Sequence, residues 1–416
     1  MNVVVLGGSS ASTPALFRCL GARSGLPPLE VRLVGRSREH LEPVVRASRT
    51  LLGDAPVVLR SFMFTPFELA SALSGADLVV VQVRFGGYEG RHFDETFPLQ
   101  FGLCGDEGLG PGGLAAAWRA WPAMRNLLAE VESGCPEALV LMMAAPLGIF
   151  VGSGRQTFPN LGMIGICELP WTTLQQLAAL LEVDFADVDF DYAGLNHLGW
   201  FYRINAGTRN LLAEYRDHAA SRCIWPSAEL VAACGGFPTK YLRLHYDPQQ
   251  VLDEQRRQQN SRARALKEIA LDSYRTFESG NSSAIVTALE RRPTPWYEHA
   301  VVPFLLALAE SSSRAPFFLT GSYDAGRTFA ADLCEAPVVV AQGRLCAKRC
   351  SEPPPPHIVK VLRSFAAYER QAVSAVVSGN ADGLREALAM HPWVDKPEIA
   401  AALTREITGQ LRGAAA

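Results

Sequence analysis

Apolar residues fall in short runs separated by stretches of helical period. Asn2–Leu6 is a β-branched run with no polar break after Asn2, the mark of a strand buried on both faces. Gly7 and Gly8 end it. Ala15–Leu20 then takes a helical pattern, and Pro14 suits its first turn. Val31–Val34, Val57–Arg60, Asp77–Val83 and Leu139–Met143 are further strand-like runs, followed by Met163–Cys167 and Val188–Tyr192. The alternation predicts a doubly wound parallel sheet. From about Thr208 the pattern turns helical. Gln249–Ser273 reads as one long charged helix, and the proline run within Ser351–Pro356 as an extended connector. His357–Ala375, Ala381–Met390 and Lys396–Leu411 read as helices, with a frayed end over Gly413–Ala416.

A strand–glycine–helix opening at the N-terminus is the Rossmann-like arrangement for a dinucleotide. Gly7 and Gly8, with Ser9 and Ser10, would let the backbone approach a pyrophosphate at the start of a helix. The full G-x-G-x-x-G is absent, because the third residue is Ser9, and a tight turn without a ligand gives the same pattern. An NAD site wants a carboxylate after the second strand. The chain instead has Gly35-Arg36-Ser37-Arg38, and Arg36 with Ser37 suits a 2′-phosphate. NADP is thus a reading beside NAD, solvated surface charge is another, and lost cofactor binding a third. The expected class is α/β. A Rossmann-like domain covers residues 1–162. An α-rich α/β domain for substrate, metal and oligomerisation covers 163–416.

Composition narrows the function classes. The 416 residues are 48% hydrophobic and 19% charged, a globular balance. A net charge of −3 leaves no basic footprint for nucleic acid. No apolar run approaches the length of a membrane span: Ala144–Val151 is short and holds Pro146. Without a targeting signal the expected location is the cytoplasm. The nine cysteines form no framework, and Cys346 and Cys350 read as incidental neighbours.

Several segments, in order along nearly the whole chain, resemble glycoside hydrolase family 4, the NAD- and metal-dependent phospho-glycosidases and α-galactosidases. Gly7-Gly-Ser-Ser-Ala-Ser-Thr-Pro14 is similar to the family's G-G-G-S-x-x-T-P. Gly75-Ala-Asp77 through Val83-Arg84-Phe-Gly-Gly87 resembles A-D-x-V-x-x-x-x-R-x-G-G, and Arg91 with Asp94-Glu-Thr-Phe-Pro-Leu99 resembles R-x-x-D-E-x-I-P-L. Gly102–Gly113 resembles G-x-x-G-Q-E-T-T-G-x-G-G, and Gly165-Ile-Cys167 resembles G-L-C-N. Asp191-Tyr-Ala-Gly-Leu-Asn-His-Leu-Gly-Trp200 matches D-Y-x-G-L-N-H-L-x-W almost fully. Pro238–Tyr241, Arg292 with Trp296-Tyr297, Glu335-Ala-Pro337, and Ala387-Leu388 with His391-Pro392 follow the family's later motifs.

The resemblance implies chemistry that departs from two-carboxylate hydrolysis. Hydride leaves C3 of a sugar for the nicotinamide, a base takes the acidified C2 proton while a metal stabilises the enediolate, and the group at C1 is eliminated. Cys167 and His197 match the metal-ligand positions, Mn²⁺ being the first expectation and Fe²⁺, Co²⁺, Ni²⁺ or Zn²⁺ alternatives. Tyr241 matches the base, and a phenol of ordinary pKa near 10 needs a nearby cation for that role. Asp191 would orient the site, Asn196 would meet substrate hydroxyls, and Glu107 would belong to the cofactor site. Arg84 and Arg292 would take an anionic substrate group, such as a sugar phosphate, or form structural ion pairs. The family implies a homodimer or homotetramer.

The departures cluster in ligand-facing loops. The family's N-x-T-N-P reads Met142-Met-Ala-Ala145-Pro146, the Gln of G-Q-E-T-T-G is Asp106, and two threonines are Gly108 and Leu109. The acidic positions after strand two are Gly35 and Ser37, and the G-G of R-G-G-x-Y-Y is Pro293-Thr294. Three functions remain open. The first is a redox-assisted glycosidase on a sugar or sugar phosphate. The second is the same chemistry in a dehydratase or epimerase on a sugar or nucleoside. The third is a silent sugar-binding subunit that partners an active paralogue.

Overall fold

A computed structural model describes residues 1–414, with the side chains of residues 411–414 left aside. Ala415 and Ala416, part of the expected frayed end, lie outside the described residues. Six parallel strands come first: β1 Asn2–Leu6, β2 Leu29–Gly35, β3 Val57–Met63, β4 Leu78–Val81, β5 Leu139–Met142 and β6 Met163–Ile166. They lie in the order β3-β2-β1-β4-β5-β6, the Rossmann order, with every neighbouring pair parallel. The β-branched run of β1 works as its pattern predicts. Val3 and Val5 enter one core and Val4 and Leu6 the other, so consecutive side chains feed opposite helix layers. Burying each such valine contributes about 1.5–3 kcal/mol, so the central strand is a poor place for a polar residue.

The sheet does not stop at the expected domain junction. It continues past β6 through strands of alternating sense: β7 Val188–Leu195, β8 Leu198–Ala206, β9 Arg209–Asn210, β10 Phe237–Pro238, β11 Phe317–Gly321, β12 Cys334–Ala341 and β13 Arg344–Ala347. The order beyond β6 is β11-β12-β7-β8-β10, all antiparallel, with β13 on β12 and β9 on β8. The sequence reading misses β8, just before the region taken as helical, and β11, β12 and β13 within it. β8, β11 and β12 are largely buried runs, which periodicity alone does not separate from buried helix, and β13 is a short, mostly exposed edge strand. The expected single helix over Gln249–Ser273 is two, Pro248–Arg257 and Arg262–Glu278. Ser261 caps the second by accepting from the Arg264 amide at 3.3 Å. The C-terminal helices Pro356–Ser378, Ala381–Met390 and Pro397–Ala414 fold back over the parallel half, the first against Leu147–Thr157. No helix among the described residues is long and apolar enough to cross a membrane.

Candidate active site

The C-terminal ends of the parallel strands meet one cleft, where ligands bind in such sheets. At the end of β1 the chain turns sharply. Gly7 has φ +89°, and its amide and that of Gly8 donate to the Val34 carbonyl at 3.1 and 2.9 Å. A Cβ on Gly8 would lie 2.8 Å from the Leu33 Cβ, so glycine is needed for packing as well as conformation. Gln82 braces the loop, donating to the Gly7 carbonyl at 3.1 Å and to the Thr13 hydroxyl at 3.0 Å, and it accepts from the Tyr297 hydroxyl at 2.6 Å. Helix α1, Pro14–Gly21, then begins with no side-chain cap on its amides. A fixed turn, bare backbone and uncapped amides fit a pyrophosphate. Ser37 caps helix α2, Arg38–Leu52, and Arg36 stands exposed beside it.

Next along the cleft lies an arginine cluster. Glu107 is gripped by Arg84 and by Arg91 Nη1 at 2.7 Å, and Arg91 also holds Glu95 at 2.7 Å. Burial pushes the Glu107 carboxyl up, but the Arg84 and Arg91 guanidiniums outweigh it and hold it below the usual range. Glu107, expected at the cofactor site, is here the counter-ion of both guanidiniums. Arg84 is likewise neutralised. Arg292 differs: it forms no ion pair among the described residues. It lies 5.4 Å from the Trp296 ring centroid, and burial lowers its pKa, helped by Arg91 and Arg84.

The opposite wall carries the metal candidates. Cys167 is the residue after β6, buried where the strand ends. Asn196 and His197 form the two-residue turn between β7 and β8, and His197 adopts φ +67°, a backbone that few non-glycine residues take. That conformation turns the imidazole onto Tyr241, with ring centroids 4.2 Å apart and planes 13° from parallel. His197 Nδ1 is buried and has no hydrogen-bond partner. Burial holds the ring neutral, its pKa pushed down to about 4. A neutral imidazole nitrogen with no partner fits a divalent ion, and the Cys167 thiol, whose charge acts on Tyr241 beneath the same ring, is the second donor candidate. Among the described residues no three His, Cys, Asp or Glu side chains form a metal cluster.

Asn196 Nδ2 donates to Glu335 at 3.1 Å, and the Tyr192 hydroxyl donates to the other Glu335 oxygen at 2.5 Å. This fixes the turn from behind and leaves Asn196 Oδ1 free of that bond. Burial pushes the Tyr241 phenol far above its ordinary range, and Asp106, Glu107, Cys167 and Glu168 push it further. The Lys240 ammonium lies 5.5 Å from the ring. Asp191 does not join this group. Its carboxylate accepts from Arg203 at 2.8 and 3.1 Å and from the Ser351 and Glu352 amides at 3.0 and 3.1 Å. It pins the proline connector, so its assignment as a site-orienting residue is corrected.

Sequence reasoning gave no role to four carboxyls of this wall. Burial raises Glu168, and raises Glu335 and Asp106 to about 7 and Glu369 to about 8. Asp106 accepts from the Gly108 and Leu109 amides at 2.8 and 3.0 Å. Glu369 accepts no hydrogen bond from any described residue, and with Asn196, Gly148, Tyr368 and His391 it lines a recess of the cleft. The apolar period of its helix hides it, since Glu369 adjoins a buried tyrosine in a strongly helical run.

A strand–glycine–helix turn, an arginine cluster and the His197–Tyr241 stack at the C-terminal edge of a Rossmann-ordered sheet place the chain in the dinucleotide-fold class of proteins. The chain belongs to glycoside hydrolase family 4: the model for family 4 glycosyl hydrolase matches residues 2–183, and that for the family's C-terminal domain matches residues 192–394. A maltose-6′-phosphate glucosidase of Fusobacterium mortiferum is 29% identical over 223 residues, 53% of this chain and 50% of its own. The chain thus spans about half the length of that relative. A probable 6-phospho-beta-glucosidase of Bacillus subtilis is 22% identical over 98% of this chain and 95% of its own. The 6-phospho-beta glucosidase of Thermotoga maritima, solved with NAD and glucose-6-phosphate, superposes with a TM-score of 0.84 at 22% identity over 99% of both chains. A 6-phospho-alpha-glucosidase from gut microorganisms, solved with NAD and Mn²⁺, gives 0.80 at 19% identity over 99% of this chain and 98% of its own. These likenesses bear out the expected fold class.

Proposed function

We propose that this chain is a dinucleotide- and divalent-metal-dependent glycosidase acting on a sugar phosphate, by oxidation at C3, proton removal at C2 and departure of the C1 group. The observation that carries this reading is the unpartnered Nδ1 of His197, stacked on Tyr241 in the cleft that receives Cys167. The relatives named for phosphorylated glucosides support the substrate class. Cys167 and His197 would hold the ion and the Gly7–Ser10 turn the dinucleotide, which together supply Lewis acidity and reversible hydride acceptance. Tyr241, once its phenol has released its proton to solvent under the charge of the ion and of Lys240, would take the C2 proton onto its phenolate oxygen. A phenol held this far above its ordinary range is a strong proton acceptor once ionised, and Lys240 is a resident cation beside it. Asn196 meets a sugar hydroxyl through Oδ1, its amide nitrogen being held by Glu335. Arg292 takes the phosphate. Hydride and water return at the end, so the net change is hydrolysis with no oxidation.

Incubation in D₂O with Mn²⁺, dinucleotide and a nitrophenyl sugar 6-phosphate tests this. Nitrophenol release and deuterium at C2 should appear together, and Tyr241→Phe should lower both by about 10²–10⁴. Release without C2 exchange overturns the mechanism. A second reading is favoured by Ala144 and Ala145, which bring no polar side chain to the end of β5. There the same proton removal serves a dehydratase or epimerase, and C2 exchange would occur with no aglycone released.

A further inference from the structure

The end of β2 is built differently from an NAD site, and the structure shows why. An NAD site places a carboxylate there to accept from the ribose hydroxyls. Here a Cβ on Gly35 would lie 2.8 Å from Ser9 Cβ, 3.1 Å from Ser9 Oγ and 3.3 Å from Leu41 Cδ1. Ser9 fills the volume from which an acidic side chain would start. It has little room to retreat, because the Tyr274 hydroxyl donates to its carbonyl at 2.9 Å. Ser9 and Gly35 therefore form a dependent pair: the larger residue in the loop requires the smallest one at the strand end.

The groups that follow are cationic. Arg36 is exposed and in no ion pair among the described residues. Arg38 is held only by exposed Glu42, at 3.4 Å. The neighbouring strand end supplies an aromatic floor. The Phe64 amide donates to the Gly35 carbonyl at 2.8 Å, and the Phe64 and Phe67 side chains are 43% and 82% exposed. An exposed ring at this edge gives an adenine base a stacking surface, whatever the ribose carries.

We propose that the chain selects the 2′-phosphorylated dinucleotide, NADP, with Arg36, Ser37 and Arg38 taking the 2′-phosphate and the Ser9–Gly35 pair excluding the acid an NAD site uses. The proposal rests on the dinucleotide reading of the glycine loop given above. A guanidinium matches phosphate oxygens in charge and geometry, and an unpaired one has no competing carboxylate to displace.

Calorimetric titration of the full chain with NADP⁺ and with NAD⁺, without substrate, tests it. NADP⁺ should bind about tenfold to a hundredfold more tightly, the worth of one or two charge-assisted contacts. Arg36→Ala should remove that advantage and leave NAD⁺ binding within about threefold. Phe64→Ala should weaken both nucleotides alike. The double variant Ser9→Gly/Gly35→Asp should turn the preference toward NAD⁺, whereas Gly35→Asp alone, left against Ser9, should lower the melting temperature. Equal or tighter binding of NAD⁺ by the unaltered chain overturns the proposal, as does an Arg36→Ala variant that loses both nucleotides equally. Binding of neither nucleotide removes the dinucleotide reading itself, and this inference with it.

Discussion

The two walls of the cleft treat buried charge in opposite ways. On one wall Glu107 has two guanidiniums, and Arg292 forms no ion pair among the described residues. On the other wall Glu168, Glu335, Asp106 and Glu369 are all raised by burial, and Glu335 and Glu369 have no cation among the described residues to answer them. Burial opposes charge on both walls alike, so the difference lies in which charge has been left uncompensated. The basic wall holds a cation with no ion-pair partner among the described residues, and the acidic wall holds carboxyls that burial keeps protonated toward neutral pH. On the proposed function a sugar phosphate would answer Arg292 and a divalent ion the carboxyls, with the reacting carbons between the two.

The sharpest way to break this contrast is at the acidic wall. His197→Ala removes the one ligand candidate whose buried nitrogen has no partner. Retained Mn²⁺ per chain, measured after gel filtration, should fall close to zero, and activity by about 10³-fold or more, a loss of several kcal/mol of charge stabilisation. Circular dichroism should show the fold intact, since the ring makes no hydrogen bond that holds the hairpin. A variant that keeps its metal would show that the orphaned nitrogen has another purpose.

The basic wall predicts an asymmetry between two arginines that look equivalent in the sequence. Arg292→Ala should raise the KM for a phosphorylated substrate by about tenfold to a hundredfold and leave an unphosphorylated one nearly unchanged. Arg84→Ala should do less, because its charge is already answered by Glu107. Equal effects of both changes on the two substrates would mean that neither faces a phosphate.

What the sequence conveys follows the same divide. The parallel half is legible because β1 is an uninterrupted β-branched run closed by Gly7, and local pattern suffices for a parallel strand. Cys167, His197 and Tyr241 are picked out by the motifs around them, and the fold stacks His197 on Tyr241. Asp191 sits in the best-preserved motif and yet turns away, because a register shift between Asp191 and Tyr192 sends the carboxylate to Arg203 and the connector. Glu335 and Glu369 gain meaning only from long-range packing: Glu335 reaches Tyr192 and Asn196 across more than a hundred intervening residues. Arg84 and Arg292 cannot be told apart in sequence for the same reason. The identity of an ion pair is a tertiary fact.

Glu369 gives the smallest effect. Its carboxyl ordinarily titrates at 4.5, and burial raises it to about 8, with Glu335 adding to the rise. Between these values the folded chain holds a proton that the unfolded chain has released. Stability is therefore fully present below about pH 4.5 and declines as pH rises toward about 8. Glu369→Gln keeps the shape and removes the titration. The cleft lends Glu369 some solvent, which reduces the effect, so the variant should be about 1–2 kcal/mol more stable than the parent at pH 8 and nearly equal at pH 5. Urea unfolding at the two pH values, without metal, measures this. A constant difference at both would mean that packing against Gly148, rather than charge, sets the cost. A gain confined to high pH that disappears when Mn²⁺ is added would tie the uncompensated carboxyls to the cation that this wall is built to receive.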